Sequence, residues 1–108
     1  MPYEVLLTAD AVQDLEEIVG WIAVHDAPAR AGAVLDRIEG AIAGLTKFPE
    51  RGAHPRELLA VGIRDYRETF FKPYRVIYRV QGERVYVYLI ADGRRDMQSL
   101  LERRLLGS

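Results

Sequence analysis

The residues best suited to chemistry in this chain are cationic, and they lie between Tyr66 and Leu106. Arginine donates paired hydrogen bonds in a planar geometry that matches phosphate and carboxylate groups, and it is weakly hydrated. Exposed ion pairs stabilise a fold by only about 0–1 kcal/mol, so stability alone explains so many guanidinium groups poorly. The segment therefore predicts a surface that binds an anionic partner. Its candidate contact residues are Arg67, Lys72, Arg75, Arg94 and Arg95.

Strand periodicity decides whether these cations form one surface. Successive side chains of a strand point to opposite faces of the sheet. If the register places Arg67 and Arg75 on the same side, the sheet face away from the helices is a basic surface, bordered by Lys72 and by Arg94 and Arg95. The alternative is a half-exposed sheet whose arginines pair internally. The carboxylates available for such pairing are Glu68, Glu83 and Asp92.

Other kinds of chemistry have little support in the sequence. His25 and His54 fall in predicted loops, without the spacing of metal ligands, and there is no cysteine. We find no Ser-His-Asp order, phosphate-binding loop or dinucleotide glycine motif. The sequence therefore predicts neither a bound metal nor a cofactor.

Length and composition indicate one ordinary globular domain, residues 1–108, with 49% hydrophobic and 29% charged residues. Residues 1–55 hold four Lys/Arg and nine Asp/Glu, whereas residues 56–108 hold eleven and seven. This asymmetry suggests an anionic partner for the second half, or neutralisation of one half by the other. We see no signal peptide and no stretch of about 18 apolar residues, so a cytosolic protein is expected.

Periodicity predicts an α+β domain of order β-α-α-β-β-β-α, with a helical hairpin packed on one side of a mostly antiparallel sheet. Thr8 is positioned to cap the first helix, and Pro28 is tolerated in the first turn of the second. The expected elements are a short strand around Val5, helices from about Ala9 to Val24 and from Pro28 to about Leu45, strands at 66–71, 74–81 and 84–91, and a helix at 97–106.

The terminal helix is amphipathic and follows an Asp92-Gly93 turn, with Asp96 placed to cap it. Its apolar residues either cover the open sheet face or leave a groove for a partner's helix or strand. The residues in question are Leu100, Leu101 and Leu105.

The chain resembles the RelE/ParE superfamily of bacterial type II toxins over nearly its whole length. The resemblance is carried by four segments in order, "TADAVQDLEEIVGWI", "LTKFPERG", "YRETFFKPYRVIYRV" and "YLIADGRRDMQSLLERRL". It implies a compact toxin fold of the predicted element order. It also implies a cognate antitoxin, ParD-like or RelB-like, which folds over the toxin and through which alone operator DNA is bound.

The resemblance implies two possible activities. RelE-like members are metal-independent, ribosome-dependent endoribonucleases that cut mRNA, and Arg75 and Arg95 match their phosphate-binding arginines. The tyrosine that commonly serves RelE-like members as acid or base falls near Leu101, and leucine transfers no proton. ParE-like members act on DNA gyrase instead, and this departure favours that branch.

We therefore expect a ParE-like gyrase inhibitor, in which the five cations contact the target and the leucines Leu100, Leu101 and Leu105 seat the terminal helix or meet the antitoxin. The first alternative is a RelE-like endoribonuclease acting on the ribosome and mRNA, in which Tyr86 or Tyr88 supplies the base. The second is a binding module that pairs with its antitoxin and inhibits nothing.

Overall fold

The computed structural model describes residues 2–107, so the two terminal positions of the predicted domain lie outside the described residues. The elements follow the predicted order, with one short α-helix and two 3₁₀-helices, Gly44–Thr46 and Pro49–Arg51, added in the described residues. The strands are β1 (Glu4–Leu7), β2 (Arg67–Phe71), β3 (Tyr74–Gln81) and β4 (Arg84–Asp92). The helices are α1 (Ala9–His25), α2 (Pro28–Ala43), α3 (Arg56–Leu59) and α4 (Met97–Leu106). The predicted α+β class is confirmed.

The described strands form one mixed sheet in the order β1-β4-β3-β2. Tight turns join β2 to β3 and β3 to β4, and both pairs run antiparallel. The first strand joins β4 in parallel, and the helical hairpin carries the chain from β1 across the sheet to β2 at the opposite edge. The sheet is therefore mostly antiparallel, as predicted, and β1 and β2 are its two edge strands.

The helical hairpin α1–α2 covers one face of the sheet. Thr8 Oγ1 accepts a hydrogen bond from Ala11 N at 3.1 Å, which confirms the predicted cap, and Pro28 occupies the first turn of α2. Apolar side chains of both helices and the sheet form one core. Its most deeply buried members include Ala11, Ile38, Val76, Tyr78, Val85 and Val87.

A second, smaller core on the opposite face is built by α3 and α4. Leu58 and Leu101 are fully buried there, against Ile77 and Leu89 of the sheet. The elements expected from the sequence leave residues 56–59 without a helix, and that expectation is wrong. Pro55 O accepts hydrogen bonds from the N–H groups two and three residues past the start of α3, so a single turn forms. Four residues are too few to show helical periodicity.

Among the described helices, none has the length and apolar character that a membrane crossing requires.

Candidate functional site

The strand register separates two of the predicted contact residues. Arg67 lies opposite Tyr78 and Arg75 lies opposite Phe70. Directly opposed residues share a face, and Tyr78 belongs to the core beneath the helical hairpin. Arg67 therefore lies on the helix-covered face and Arg75 on the other. The single basic face containing both is a wrong prediction, because the two-residue turn pairs Phe71 with Tyr74 and so sets odd positions of β2 against even positions of β3.

Arg67 has an internal partner on the helix-covered face. Its Nη1 donates to the carbonyl oxygen of Gly52 at 2.8 Å, and its side chain is half-buried. Gly52 also lies against the Tyr78 hydroxyl, which donates to the Pro49 carbonyl oxygen. Arg67 thereby connects the edge strand β2 to the loop that follows α2.

The guanidinium of Arg75 is held between two carboxylates. Its Nη1 and Nη2 donate to Oε2 and Oε1 of Glu57 at 2.8 Å each, and its Nε donates to Oε1 of Glu68 at 2.7 Å. The side chains of Arg75, Glu57 and Glu68 are only 13%, 11% and 15% exposed. Glu68 is one of the internal partners that the sequence offers, whereas Glu57 is a partner that sequence reasoning missed.

These contacts shift the protonation equilibria of the pair. The hydrogen bond from Arg75 lowers the pKa of Glu57, against the opposing effect of burial. The hydrogen bond to Glu57 is the largest cause that raises the pKa of Arg75. All three guanidinium nitrogens donate to carboxylates, so direct contact between Arg75 and a target requires some of these bonds to break.

The remaining predicted cations meet at one end of the sheet. Gly93 N donates to Pro73 O at 2.7 Å, which ties the turn after β4 to the turn between β2 and β3. Lys72, Arg94 and Arg95 are exposed on these two joined turns. We call these three residues the basic end of the sheet.

One cation of the basic end is paired. Arg94 Nε and Nη2 donate to the two oxygens of Asp92 at 2.9 and 2.6 Å, and this hydrogen bond lowers the pKa of Asp92. The Arg94 side chain nevertheless remains 78% exposed. Within residues 2–107, Lys72 and Arg95 make no side-chain hydrogen bond and no ion pair within 4 Å, so the basic end carries cations free to meet an external anion.

Helix α4 is seated on the sheet and locked to α1. Leu100 and Leu101 are buried, and Leu105 packs against the same cluster. Asp96 accepts hydrogen bonds from Ser99 N and Oγ, which confirms its capping role and lowers the pKa of Asp96. The three leucines thus pack α4 against the sheet, and their contact with an antitoxin stays a prediction.

The lock between the two helices is an ion pair. Arg104 donates through Nη1 and Nη2 to the two carboxylate oxygens of Asp14 at 2.8 and 2.9 Å, and also to Tyr88 O. Asp14 additionally accepts from the backbone N–H of Ile90 at 3.0 Å. The Asp14 carboxylate thus accepts a hydrogen bond from a backbone N–H of β4 that lies beyond the end of β1.

An aromatic cluster occupies the sheet face left open beside α4. The Tyr66 and Tyr88 rings meet edge to face with centroids 5.5 Å apart, and Tyr86 lies 6.5 Å from Tyr88. The guanidinium of Arg79 stands 5.8 Å from the centre of the Tyr66 ring. Sequence reasoning names Tyr86 and Tyr88 only as bases of the alternative activity and does not group them with Tyr66. Their grouping depends on the strand register and on the bulge in the β3–β4 pairing.

Residues 2–107 contain no group of His, Asp and Glu side chains arranged to hold a metal ion. His54 Nδ1 is 3.0 Å from the Tyr66 carbonyl oxygen, and His25 stacks on the Trp21 ring at 4.4 Å. Neither histidine lies in the basic end.

The sequence matches the family described as the ParE toxin of the type II toxin-antitoxin system parDE, over residues 5–97. The chain belongs to the ParE toxin family. It is 31% identical to Toxin ParE3 of Caulobacter vibrioides over 100 residues, which cover 93% of this chain and 96% of that one.

Solved structures share the fold of this ParE-family toxin. One is the chromosomal ParDE system from P. aeruginosa, with a TM-score of 0.69, 20% identity and coverage of 83% of this chain and 95% of that one. A second is the toxin-antitoxin complex RelBE2 from Mycobacterium tuberculosis, with a TM-score of 0.58, 24% identity and coverage of 85% of this chain and 99% of that one. A third is a mutant of E. coli RelE in the free state, with a TM-score of 0.63, 14% identity and coverage of 93% of this chain and 93% of that one. Both branches of the predicted superfamily therefore share this architecture.

Proposed function

We propose that this ParE-family toxin inhibits DNA gyrase, and that a cognate antitoxin of the ParD-like or RelB-like kind holds it inactive. Family membership supports the proposal, together with the similarity to Toxin ParE3 along almost the whole chain. The ParDE and RelBE2 structures are of toxin-antitoxin systems, which supports an antitoxin partner for this chain as well.

The observation that carries the proposal is the joining of two turns by the hydrogen bond between Gly93 and Pro73. It gathers Lys72, Arg94 and Arg95 at one exposed end of the sheet, where they contact an anionic surface of the target. Arg67 and Arg75, which sequence reasoning groups with them, make internal hydrogen bonds instead, and Arg75 lies against Gly93 in the turn that carries Arg94 and Arg95. The sheet end is thus a binding surface, and the partly buried contacts of Arg75 lie behind it.

The surroundings of the basic end favour binding over catalysis. RNA cleavage through the 2′-hydroxyl needs a group that accepts its proton. The position of the expected tyrosine is Leu101, which is fully buried in the core beneath α4. Arg75, which resembles a phosphate-binding arginine, is already occupied by two carboxylates.

A RelE-like endoribonuclease is the second candidate, and the aromatic cluster is the observation that favours it. Tyrosine faces stack on unpaired bases, and Arg79 adds a cation beside Tyr66. In this function Tyr86 or Tyr88 would accept the proton.

Induction of the chain in cells that lack an antitoxin separates the candidates. A gyrase inhibitor stops DNA synthesis before protein synthesis and leaves translated mRNA intact. A ribosome-dependent nuclease produces cuts within reading frames, which primer extension detects, and it stops protein synthesis first. Unchanged growth at full expression would contradict both and leave the binding-module hypothesis.

A further inference from the structure

Strand β4 has a free edge beyond the end of β1. The parallel pairing ends at Leu7 and Val87, and β4 continues to Asp92. On its other side, β4 stays paired with β3 as far as Asp92. Among the described strands, none lies beside residues 88–92 on the side of β1. Such an edge is a template for pairing with another chain unless something covers it.

Two side chains of opposite charge occupy the place that a longer β1 would take. Asp14 Oδ2 accepts from Ile90 N at 3.0 Å, and Arg104 Nη1 donates to Tyr88 O at 2.8 Å. In a parallel pair, one residue of the neighbouring strand makes these two contacts, because its N–H donates to one carbonyl and its C=O accepts from the N–H two residues later. The Asp14–Arg104 ion pair therefore takes the place of one residue of a neighbouring strand.

The ion pair joins two helices that are far apart in the sequence. Asp14 belongs to α1 and Arg104 to the last turn of α4, and their side chains are 13% and 20% exposed. Each of them also bonds the backbone of β4, which an ion pair that only joined two helices would not need to do. Natural proteins protect free strand edges with charged side chains that point inward over the strand.

A second copy of this chain is the partner that fits the uncovered edge. The N–H and C=O of one residue point to the same side of a strand, so both groups of Ile90 face away from β3. Two copies related by a two-fold axis at Ile90 run antiparallel, and each Ile90 N–H then donates to the Ile90 carbonyl of the other copy. The edge is therefore complementary to itself.

We propose that the Asp14–Arg104 ion pair is a cover that keeps the β4 edge from pairing with a second copy of the chain. Its removal creates a dimer that is joined at Ile90. The ion pair thus keeps the chain monomeric, in addition to holding α4 on α1. The proposal does not depend on which target the toxin inhibits.

The test compares the unmodified full chain with a double variant, Asp14→Ala with Arg104→Ala. We expect a monomer for the unmodified chain in analytical ultracentrifugation, and a dimer dissociation constant at least about tenfold lower for the double variant. Exchange of the Ile90 amide in the double variant should slow by about tenfold or more as the protein concentration is raised. A purely stabilising role of the ion pair predicts faster exchange at every concentration instead.

Two controls separate the cover from charge and from stability. Glu16→Ala with Arg103→Ala removes one charge of each sign from exposed positions on the same two helices. Leu105→Ala removes packing between α4 and its core cluster and leaves the ion pair in place. We expect both control variants to stay monomeric, with exchange at Ile90 independent of concentration.

A double variant that stays monomeric at every concentration would overturn the proposal. So would a dimer whose Ile90 amide exchanges as fast as in the monomer, or equal association of Leu105→Ala. If the double variant does not fold, Arg104→Ala alone decides, because it uncovers the Tyr88 carbonyl. This variant should associate more tightly than the unmodified chain, and unchanged association would overturn the proposal.

Discussion

Arg75 and Glu57 face each other through two hydrogen bonds of 2.8 Å, although they are 18 positions apart in the sequence. The contact fastens the short helix α3 to the central strand β3. Arg75 also lies against Gly93, where an added Cβ would come within 2.8 Å of its Cδ. The partly buried ion pair therefore helps to shape the turn that carries Arg94 and Arg95.

Replacing Arg75 should destabilise the protein. Arg75→Ala leaves Glu57 and Glu68 largely buried without their cation, and we expect a loss of about 2–4 kcal/mol in the free energy of unfolding. Urea denaturation measures it. Arg94→Ala removes a pair whose cation is exposed and should change stability little. Equal, small effects of both variants would show that the partly buried Arg75–Glu57 pair has no special structural role.

The same pair predicts a pH dependence. The pKa of Glu57 is lowered in the folded protein from an ordinary value of 4.5. A lowered folded-state pKa contributes stability above the unfolded-state value, and this contribution is lost as pH falls through the folded-state value. The stability advantage of the wild type over Glu57→Gln should therefore be constant near neutrality and shrink below about pH 4.5. An advantage that grows on acidification would contradict the assignment.

The lock between α1 and α4 gives a third prediction. Arg104→Ala removes three hydrogen bonds, two of them to Asp14, and should cost about 1–3 kcal/mol. Amide exchange should speed up first in α4. Arg103→Ala, one residue earlier and exposed, is the matched control. If both variants exchange alike, the lock does not hold the helix.

Two glycines should respond with opposite sign to alanine. A Cβ at Gly52 would collide with the Tyr78 hydroxyl and the Glu68 carbonyl oxygen, so Gly52→Ala should destabilise by about 1–3 kcal/mol. A Cβ at Gly40, inside α2, meets nothing within 4 Å, and Gly40→Ala should stabilise by about 0.5–1 kcal/mol. Thermal melts of both variants check the pair. Stabilisation by Gly52→Ala would mean that the loop around residue 52 shifts to accommodate the added Cβ without a loss of stability.

Most of the fold follows from the sequence because its signals are local. Helical periodicity, the Thr8 cap and Pro28 define α1 and α2, and the turn residues delimit the strands. The register of β2 against β3, and so the face on which Arg67 lies, could also have been predicted from the sequence. A two-residue turn at Lys72 and Pro73 pairs Phe71 with Tyr74, and counting back places Arg67 and Arg75 on opposite faces.

The missed parts of the site depend on contacts between distant segments. Glu57 belongs to a single helical turn whose position is fixed by burial of Leu58. The grouping of Tyr66 with Tyr88 needs both the register and a bulge that single-strand patterns do not reveal. Sequence reasoning does not find Glu57, and it cannot tell that Tyr66 and Tyr88 meet.

The most direct test of the proposed function is supercoiling of relaxed plasmid by purified gyrase, titrated with the purified chain. We predict inhibition by the wild type, and a loss of about tenfold or more in potency when Lys72, Arg94 and Arg95 are all replaced by glutamate. Replacing Arg30, Arg37 and Arg103 by glutamate, as the charge-matched control, should leave the potency unchanged. Full gyrase activity at saturating wild-type chain, or equal potency of the two triple variants, would contradict the account.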